Sequence, residues 1–486
     1  MEIKDKRVTV VGLARSGEGA ANLMSEMGAL VTVTDIKPEG ELTDSVKKLA
    51  PSVRLALGGH PDEIFMDSDM IIISPGVPMD IKQLKAAKTR GVPVIGELEL
   101  AYQMLQQPGA ENKRPEVEGP IPFLAVTGSN GKSTTTTLLD LMMKKGGFKT
   151  LLGGNIGNAL TGEILKKIRG RGAEAGSRGF DCVVVEVSSF QLEAIDKFRP
   201  HVASILNITP DHMDRYHSME EYSDAKSRIF LNQRESDYLL LNADDPGTMK
   251  VQGSRFKVQG NKPKVLFFSR NKDVHGVYYK DGKVYCNIPD PGDAPCPMLL
   301  IDAEEIKIKG VHNLENAMAA SAMALLAGCP PEAVIDSLRE FGGLEHRLEL
   351  VRELEGVKYI NDSKGTNVGA VIKSLESFRE PLILIAGGRD KAGDFAALRG
   401  LVAEKTRAVV LIGEAAGKIR DALGDIAETI ITKDLKEAVE VSRGIARQGD
   451  VVLLSPACAS FDMFKDFEDR GRQFKKIVTG LGEKNE

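Results

Sequence analysis

The sequence contains no tryptophan, few cysteines and no long apolar run. The five cysteines lie between Cys182 and Cys458 without a C-x-x-C pair, which predicts reduced thiols and argues against a zinc site. No apolar stretch approaches the roughly 18 residues that a membrane helix needs. Residues 1–6 are mostly charged and lead directly into a predicted strand, so they leave no room for a signal peptide. We therefore expect a cytoplasmic protein without a membrane partner.

The sequence also lacks a large excess of acidic or of basic residues. The 64 basic and 69 acidic residues give a net charge of −5, and no basic stripe interleaved with aromatic residues occurs. This argues against a dedicated nucleic-acid-binding protein. At 486 residues, of which 42% are hydrophobic, the chain is too long for one core. A prior of roughly 150 residues per domain predicts three domains.

The most informative segment is residues 124–134, LAVTGSNGKST. An apolar strand over 121–126 runs into a glycine-rich turn, and a helix is predicted to begin at about Ser133. In such a turn, backbone N–H groups and the helix N-terminus bind phosphate, Lys132 can reach the β- and γ-phosphates, and the serine hydroxyl can bind Mg²⁺. Val126 stands where the general P-loop pattern has glycine, so only the shorter pattern T-G-x-N-G-K-[ST] is present. The alternative is a strand-turn-helix without chemistry. The predicted ATP-binding residues of this loop are Gly128, Ser129, Asn130, Gly131, Lys132, Ser133 and Thr134.

The first third of the chain predicts a βαβ unit that binds a ligand at a strand end. Gly12 and Gly17 match the dinucleotide fingerprint G-x-G-x-x-G, but Ala14 replaces its middle glycine. Three alternatives stay open: a dinucleotide site, a purely structural βαβ unit, and a site for another phosphate-bearing nucleotide, which the missing glycine favours. A later strand ends at Ser74 in a turn at the same predicted edge.

Three polar side chains of the central region are candidates for chemistry. Glu186 lies among apolar strand residues, so it is either a Mg²⁺ ligand or an acid at the exposed end of a strand. His212 follows the next strand and is either structural or acts at the metal or the substrate. Lys226 borders the apolar face of a predicted helix, where it is either a surface lysine or a partly desolvated amine open to modification. Strands predicted over 264–308 extend the same sheet.

Polar connections divide the chain. The proline-rich stretch 107–120 ends a first domain, and the glycine-rich stretch 169–179 predicts a surface loop within the second. In the last third, four apolar strands each lead into glycine or polar residues, as expected where a parallel sheet binds a small anionic ligand. The predicted domains are residues 1–105, 106–343 and 344–486, all α/β.

The motifs of the whole chain, taken together, resemble those of the Mur ligase family. The resemblance covers nearly the whole length and rests on seven motifs in order. They are TGSNGKST at 127–134, EVSSFQL at 186–192, DHMDRY at 211–216, HNLEN at 312–316, HR at 346–347, NDSK at 361–364 and LSPACASFD at 454–462. The last motif, with Phe464, Phe467 and Arg470 after it, is similar to that of the family branch that adds D-glutamate.

The resemblance implies a Rossmann-like N-terminal domain that holds UDP, a central P-loop-type ATPase domain with a mainly parallel sheet, and a Rossmann-like C-terminal domain that takes the amino acid. It implies an ATP-dependent ligase of peptidoglycan precursor synthesis that joins D-glutamate to UDP-N-acetylmuramoyl-L-alanine through an acyl phosphate. Two Mg²⁺ ions are expected, and the protein is expected to be a monomer. The alternatives are a related ligase that adds another amino acid, or adds glutamate to folate, and a nucleotide-gated binding protein that hydrolyses ATP without ligation.

The resemblance also implies roles for individual residues. Catalytic roles fall to Lys132, Glu186, His212 and Lys226, the last as a carbamate. The metal ligands would be Ser133, Glu186, His212 and carbamylated Lys226. Further ATP contacts would come from Asn316, Arg347 and Asp362. The substrates would contact Ser16, Lys37 and Ser74 along the uridine diphosphate, Asn155 and His212 at the muramoyl-alanine arm, and Thr366, Lys391, Ser460 and Phe461 in the C-terminal domain, the last three at D-glutamate.

Overall fold

The computed structural model describes residues 2–106, 120–170, 179–213, 215–255, 262–288 and 296–482. Three β-sheets follow one another along the chain, with five, nine and six strands. Within the described ranges, every helix is too short or too polar to cross a bilayer. The predicted α/β class with three successive units is therefore confirmed, while the predicted boundaries at residues 105 and 343 stay predictions.

The first sheet is parallel throughout. A helix after each strand returns the chain to the end of the sheet where the strands begin, so that the next strand runs in the same direction. Its strand order is β3-β2-β1-β4-β5, so the order reverses between β1 and β4, where such sheets bind ligands. The elements are β1 (Arg7–Val11), α1 (Arg15–Glu26), β2 (Leu30–Asp35), α2 (Glu39–Val46), β3 (Arg54–Leu57), α3 (Asp62–Met66), β4 (Met70–Ile73), α4 (Lys82–Thr89), β5 (Val94–Gly96) and α5 (Glu97–Leu105).

The central sheet has the order β14-β13-β12-β11-β10-β9-β6-β8-β7. Among the strands that the structure describes, only the pairs made by β13 are antiparallel, and the predicted extension of the sheet by residues 264–308 is confirmed. Its first elements are β6 (Phe123–Thr127), α6 (Lys132–Lys145), β7 (Thr150–Gly154), α7 (Leu160–Gly170), β8 (Cys182–Glu186), α8 (Ser189–Glu193), β9 (Val202–Ile205), α9 (Met219–Ser227), β10 (Tyr238–Asn242) and α10 (Pro246–Arg255). The remainder are β11 (Lys264–Ser269), β12 (Gly276–Lys280), β13 (Lys283–Asn287), β14 (Met298–Asp302), α11 (Val311–Leu326) and α12 (Pro331–Glu340).

The third sheet has the order β15-β16-β20-β17-β18-β19, and only its edge pair β15-β16 is antiparallel. The carboxyl ends of β16, β20 and β17 lie side by side in its middle. Its elements are β15 (Glu349–Leu354), β16 (Val357–Asn361), α13 (Val368–Glu376), β17 (Leu382–Gly387), α14 (Arg399–Lys405), β18 (Thr406–Ile412), α15 (Ala416–Leu423), β19 (Glu428–Ile431), α16 (Leu435–Ile445), β20 (Val451–Leu454) and α17 (Phe467–Thr479).

The first and central units share one apolar core. Buried side chains from β1, α1 and α5 belong to the same cluster as those from β6, α7 and β8. Helix α1 packs against α7 so closely that a Cβ at Gly19 would lie 2.7 Å from Thr161 Oγ1. The third unit, by contrast, is built on two clusters of its own residues.

Two buried carboxylates of α5 also join the first unit to the central one. Glu97 Oε1 accepts hydrogen bonds from the backbone N–H of Thr161 at 2.7 Å and from its hydroxyl at 2.9 Å, at the first turn of α7. Glu99 is 0% exposed and accepts three backbone N–H groups, those of Asp196 at 2.9 Å, Lys197 at 3.0 Å and Phe198 at 2.9 Å. Each carboxylate thus satisfies backbone donors that the interface has removed from water.

Replacing Glu99 by alanine is expected to destabilise the protein by about 3 kcal/mol, since it leaves the buried N–H of Phe198 and the two half-buried N–H groups of Asp196 and Lys197 without their acceptor, at roughly 1–3 kcal/mol for a buried group. Thermal and denaturant unfolding of the full chain measure the change. The matched control is Glu26→Ala, which removes an exposed ion pair to Arg169 across the same interface. That variant is expected to lose at most about 0.5 kcal/mol. Equal losses in the two variants would contradict the role given to Glu99.

Two predicted connections have different outcomes. The stretch 107–120 lies outside the described residues except for its last residue. The loop predicted over 169–179 is wrong at its start, because α7 continues to Gly170. Arg169 supports this last turn through its ion pair with Glu26 at 2.9 Å. Residues 171–178 of the predicted loop lie outside the described part.

Candidate active site

The phosphate loop connects β6 to α6. The helix begins at Lys132, one residue earlier than predicted, and its cap, Gly131, has a left-handed conformation with a φ of +85°. A Cβ at Gly131 would lie 2.2 Å from Asn316 Oδ1, so glycine is needed for the loop to pack against α11. This close approach brings Asn316, a predicted ATP contact, against the loop.

The segment after β9 holds the loop in shape. The Ser129 hydroxyl donates to the carbonyl of Thr209 at 2.8 Å. The backbone N–H of Asn130 donates to Asn207 Oδ1 at 2.8 Å, and Asn207 Nδ2 donates back to the Asn130 carbonyl at 3.1 Å. The loop is therefore fixed before any ligand arrives, as preorganised phosphate binding requires.

The side chain of Lys132 folds back along the phosphate loop that precedes it in the sequence. Its ammonium donates to the carbonyl oxygens of Gly128 at 2.8 Å and Ser129 at 2.9 Å. Burial lowers the pKa of Lys132, although the nearby carboxylates of Glu186 and Asp211 oppose this shift. The cation is thus placed at the centre of the predicted phosphate site.

Glu186 is the last residue of β8 and is only 2% exposed, so the alternative of a surface acid is wrong. Its Oε1 accepts a hydrogen bond from Asn155 Nδ2 at 2.8 Å. Its Oε2 is buried without a hydrogen-bond partner among the described residues. Burial alone would raise the pKa of this carboxyl group, but the charges of Lys132 and Lys364 hold the pKa below its ordinary value. An ionised oxygen without a partner beside a phosphate loop suits a divalent cation.

Lys226 is 1% exposed, so the alternative of a surface lysine is wrong. Its ammonium donates to the carbonyl of Gly128 at 2.9 Å, the same oxygen that accepts from Lys132. It also lies 4.5 Å from the ring centre of Tyr222. Burial and the neighbouring Lys132 ammonium lower the pKa of Lys226 well below its ordinary value. Two lysine side chains thus converge on one neutral oxygen.

His212 has a left-handed backbone with a φ of +56°. Its ring lies 4.9 Å from that of Phe190, and its Nε2 is 3.6 Å from Asp211 Oδ2. Both His212 and Asp211 line the cleft that contains Lys132 and Glu186. The cleft therefore brings together three of the four residues predicted to be catalytic, Lys132, Glu186 and His212. Lys226 is not among the described residues that line it, and is linked to Lys132 through the carbonyl of Gly128.

A second cavity lies on the other side of the phosphate loop, between the central and third units. The predicted ATP contacts Asn316, Arg347 and Asp362 line it. Arg347 Nε is buried without a partner among the described residues. Asp362 Oδ2, in contrast, already accepts the hydroxyls of Ser374 and Ser455, each at 2.7 Å.

The predicted substrate residues of the C-terminal domain separate into two groups. Lys391 and Thr366 line the same cleft as Lys132 and Glu186, and this cleft encloses about 1050 Å³ with its open mouth included. Ser460 is buried and Phe461 is 64% exposed. Neither of these two is among the described side chains that line the cleft.

The predicted uridine diphosphate residues lie at the carboxyl edge of the first sheet. Ser16 is in the first turn of α1, Lys37 follows β2, and Ser74 follows β4. The Ser74 hydroxyl donates to the carbonyl of Gly12 at 2.6 Å. Asp35 is used internally, since its oxygens accept the backbone N–H groups of Leu13 at 2.7 Å and of Lys37 at 2.9 Å.

Sequence reasoning assigned no site role to several residues that line the cleft, among them Arg15, Asp211, Lys364 and Asn367. Burial, together with the charge of Arg347, lowers the pKa of Lys364 to about 8. Two features of the sequence could have indicated some of these residues. Asp211 and Lys364 lie inside motifs that carry the family resemblance, and Asn367 directly follows Thr366.

Comparisons with known proteins agree with this architecture. Three family models match consecutive parts of the chain: the Mur ligase MurD-like N-terminal domain at residues 6–96, the Mur ligase middle domain at 126–324, and the Mur ligase glutamate ligase domain at 346–458. The chain belongs to the Mur ligase family.

Particular members of that family resemble it along the whole length. The chain is 45% identical to the UDP-N-acetylmuramoylalanine--D-glutamate ligase of Citrifermentans bemidjiense and 44% identical to that of Geobacter sp. strain M21, with 100% of each chain covered in both comparisons. Among solved structures, the MurF ligase of Thermotoga maritima in complex with ADP has the same fold. It matches with a TM-score of 0.56 and 16% identity, over 92% of this chain and 95% of that one.

Proposed function

We propose that this protein joins D-glutamate to UDP-N-acetylmuramoyl-L-alanine with cleavage of ATP to ADP and phosphate, as a cytoplasmic monomer in peptidoglycan precursor synthesis. One observation carries the proposal. A single cleft is lined by Lys132 of the phosphate loop, by the buried acid Glu186, and by Lys391 and Thr366 from the third unit. Such a cleft can hold a nucleotide phosphate against an acceptor carboxylate and an incoming anionic amine. The full-length likeness to D-glutamate ligases supports this choice of amino acid.

The residues present fit Mg²⁺. Ser133 and Glu186 would hold one ion, and His212 would hold a second together with a carbamate on Lys226. The Glu186 Oε2, which has no hydrogen-bond partner among the described residues, is the observation that supports the first of these sets. Two ions are expected, as in the resemblance described above. When bound, the metal would neutralise charge on the phosphate oxygens during transfer.

The chain's own residues account for the rest of the chemistry. The L-alanyl carboxylate attacks the γ-phosphorus of ATP, the bond to the bridging oxygen breaks, and an acyl phosphate forms with ADP as leaving group. Lys132 and Lys364 lie where they can balance the negative charge of the transferred group. Asn155, which donates to Glu186, keeps that carboxylate oriented towards the site.

The second step forms the amide. The amine of D-glutamate attacks the acyl carbon, a proton leaves the nitrogen, and the tetrahedral intermediate collapses with loss of phosphate. Lys391 and Thr366 would bind and orient the amino acid, because an anionic substrate needs a fixed cation nearby. Holding the amine beside the acyl phosphate can contribute about 7 kcal/mol or more in well-oriented cases.

The defining experiment measures phosphate release by the purified full chain with ATP and Mg²⁺. UDP-N-acetylmuramoyl-L-alanine and D-glutamate are added separately and together. The proposal expects fast release only with both substrates, one amide product per phosphate, and no product from other amino acids or from a folate acceptor. ATP hydrolysis that ignores both substrates would indicate a nucleotide-gated binding protein instead.

Replacing Lys391 by alanine is expected to raise the KM for D-glutamate about 10- to 100-fold, because a hydrogen bond to a charged group contributes about 1.5–3 kcal/mol. The KM for ATP is expected to change by less than about threefold. Steady-state kinetics with each substrate varied in turn measure both values. The control is Lys358→Ala, which removes a surface ion pair with Glu380. If both KM values rise equally, Lys391 has a structural role.

A further inference from the structure

The first turn of α13 lies against the phosphate loop. Asn367 is the N-cap of this helix, and its Oδ1 accepts the backbone N–H of Ala370 at 2.8 Å. Its Nδ2 points the other way and donates to Asp211 Oδ2 at 3.1 Å and to Asn130 Oδ1 at 3.4 Å. One side chain of the third unit therefore contacts both the phosphate loop and the segment that carries His212.

The orientation of the Asn367 amide is determined by its partners. Rotating the amide by 180° would turn its oxygen towards the carboxylate of Asp211 and its NH₂ group towards the N–H of Ala370. Both contacts would then be repulsive. The donor therefore faces Asp211, and the acceptor caps the helix.

The two surfaces are also close at Gly369, in the same first turn of the helix. A Cβ at Gly369 would lie 3.4 Å from both Asn130 Nδ2 and Thr209 Oγ1. A Cβ at this position would thus be in van der Waals contact with Asn130 of the loop and with Thr209. The contact between α13 and the phosphate loop is direct, without room for an intervening layer.

Asp211 is the other half of this contact. Its Oδ1 accepts the backbone N–H of His212 at 3.0 Å, and the same oxygen lies 3.9 Å from Lys391 Nζ. Its carboxylate therefore faces two groups of the third unit, the Asn367 amide and the Lys391 ammonium. Thr366, the neighbour of Asn367, lines the cleft beside them.

We propose that Asn367 is a positioning residue, which docks the third unit on the phosphate loop through Asp211 and Asn130 and so holds Thr366 and Lys391 opposite the reacting phosphate. The inference rests on the proposed function, since it assumes that Thr366 and Lys391 bind D-glutamate. Asn130 belongs to the phosphate loop, which would bind the nucleotide, and Asn367 belongs to the third unit, which would bind the amino acid. The contact between these two residues would therefore join the two binding sites. The binding of nucleotide and of amino acid would then be coupled reciprocally.

Two substitutions separate docking from helix capping. Aspartate keeps the acceptor that caps Ala370, but it loses the donor and places a second carboxylate against Asp211. Alanine loses both the cap and the donor. We expect Asn367→Asp to unfold at the wild-type temperature within about 2 °C and Asn367→Ala to unfold below it. The KM for D-glutamate is expected to rise at least about tenfold in both variants, and at least as much in the more stable aspartate variant.

The donor and acceptor can also be exchanged. In the double variant Asp211→Asn with Asn367→Asp, an asparagine again faces a carboxylate, so the KM for D-glutamate is expected to recover most of the loss seen in Asn367→Asp. Such recovery measures the coupling between the two positions.

If Asn367 only caps the helix and does not dock the third unit, the aspartate variant should be less impaired than the alanine variant. Asn367→Asp would then keep the wild-type KM and kcat, and only Asn367→Ala would be impaired, which would overturn the proposal. A double variant no better than Asn367→Asp would overturn the pairing with Asp211. Failure of the proposed function is distinguishable, since the wild-type protein itself would then form no product with D-glutamate.

Discussion

Replacing Lys132 by alanine, or Glu186 by glutamine, is expected to lower the kcat for ligation by at least about a thousandfold, because each removes a preorganised charge from a buried phosphate site. The alanine variant would lack the contact between the lysine ammonium and the transferred phosphoryl group. The glutamine would lose the ionised oxygen that is buried without a partner. The measurement is amide formation at saturating ATP, UDP-N-acetylmuramoyl-L-alanine and D-glutamate, with circular dichroism to verify that each variant is folded.

The matched control for Glu186 is Asp140, a buried acid on α6 whose Oδ2 pairs with Lys144 at 2.8 Å outside the cleft. Asp140→Asn is expected to keep kcat within about threefold, since it removes a carboxylate of similar burial that no substrate would meet. A folded Glu186→Gln protein with near wild-type turnover would refute the assignment of Glu186 to the reacting centre.

Replacing Lys226 by alanine is expected to abolish nearly all ligation, and a short carboxylic acid such as acetate is expected to restore part of it. The reason is the position of the side chain. It is buried, and the oxygen that accepts its hydrogen bond also accepts from Lys132, so an ammonium at this position is costly. Reaction of the neutral amine with CO₂ gives a carbamate and releases a proton, which replaces a cation by an anion that can pair with Lys132. Acetate would supply the missing oxygens in the space that alanine leaves.

Two measurements keep this prediction independent of activity alone. Wild-type protein equilibrated with ¹³C-labelled bicarbonate is expected to show one carbamate carbon by NMR that is absent in Lys226→Ala. Acetate is expected to have no effect on Lys132→Ala, where a cation rather than an anion is missing. Crystals with ATP and Mg²⁺ that contain an unmodified Lys226 ammonium paired with an acid would contradict the carbamate and leave the ligase assignment intact.

The sequence predicted the parts of this site that depend on local chemistry. The phosphate loop carries its own signature, and the apolar strand residues around Glu186 made a buried metal ligand one of two alternatives for this acid. The order of strands and helices predicted three α/β units, because alternation of the two patterns is a local property.

Other features depend on how distant segments meet, and the sequence left them open. Lys226 is separated by 98 residues from the carbonyl that it contacts, so its burial could not be chosen over a surface position from helix periodicity. The position of Asn367 after Thr366 indicated a place near the site, but not the docking role proposed for it, since asparagine at a helix start is common for capping alone. Glu99 could not be recognised as a junction residue from the sequence, because its three backbone donors come from a loop almost 100 residues away.

The unequal junctions between the units determine how the molecule can open. Separating the first unit from the second would expose a shared apolar interior, at a cost of about 25 cal/mol for each Å² and with a large increase in heat capacity. Separating the third unit would break polar contacts, such as those of Asn367 with Asp211 and of His312 with Ser377, whose groups water can satisfy. Because water can replace these polar contacts, separating the third unit costs less hydration free energy than separating the first.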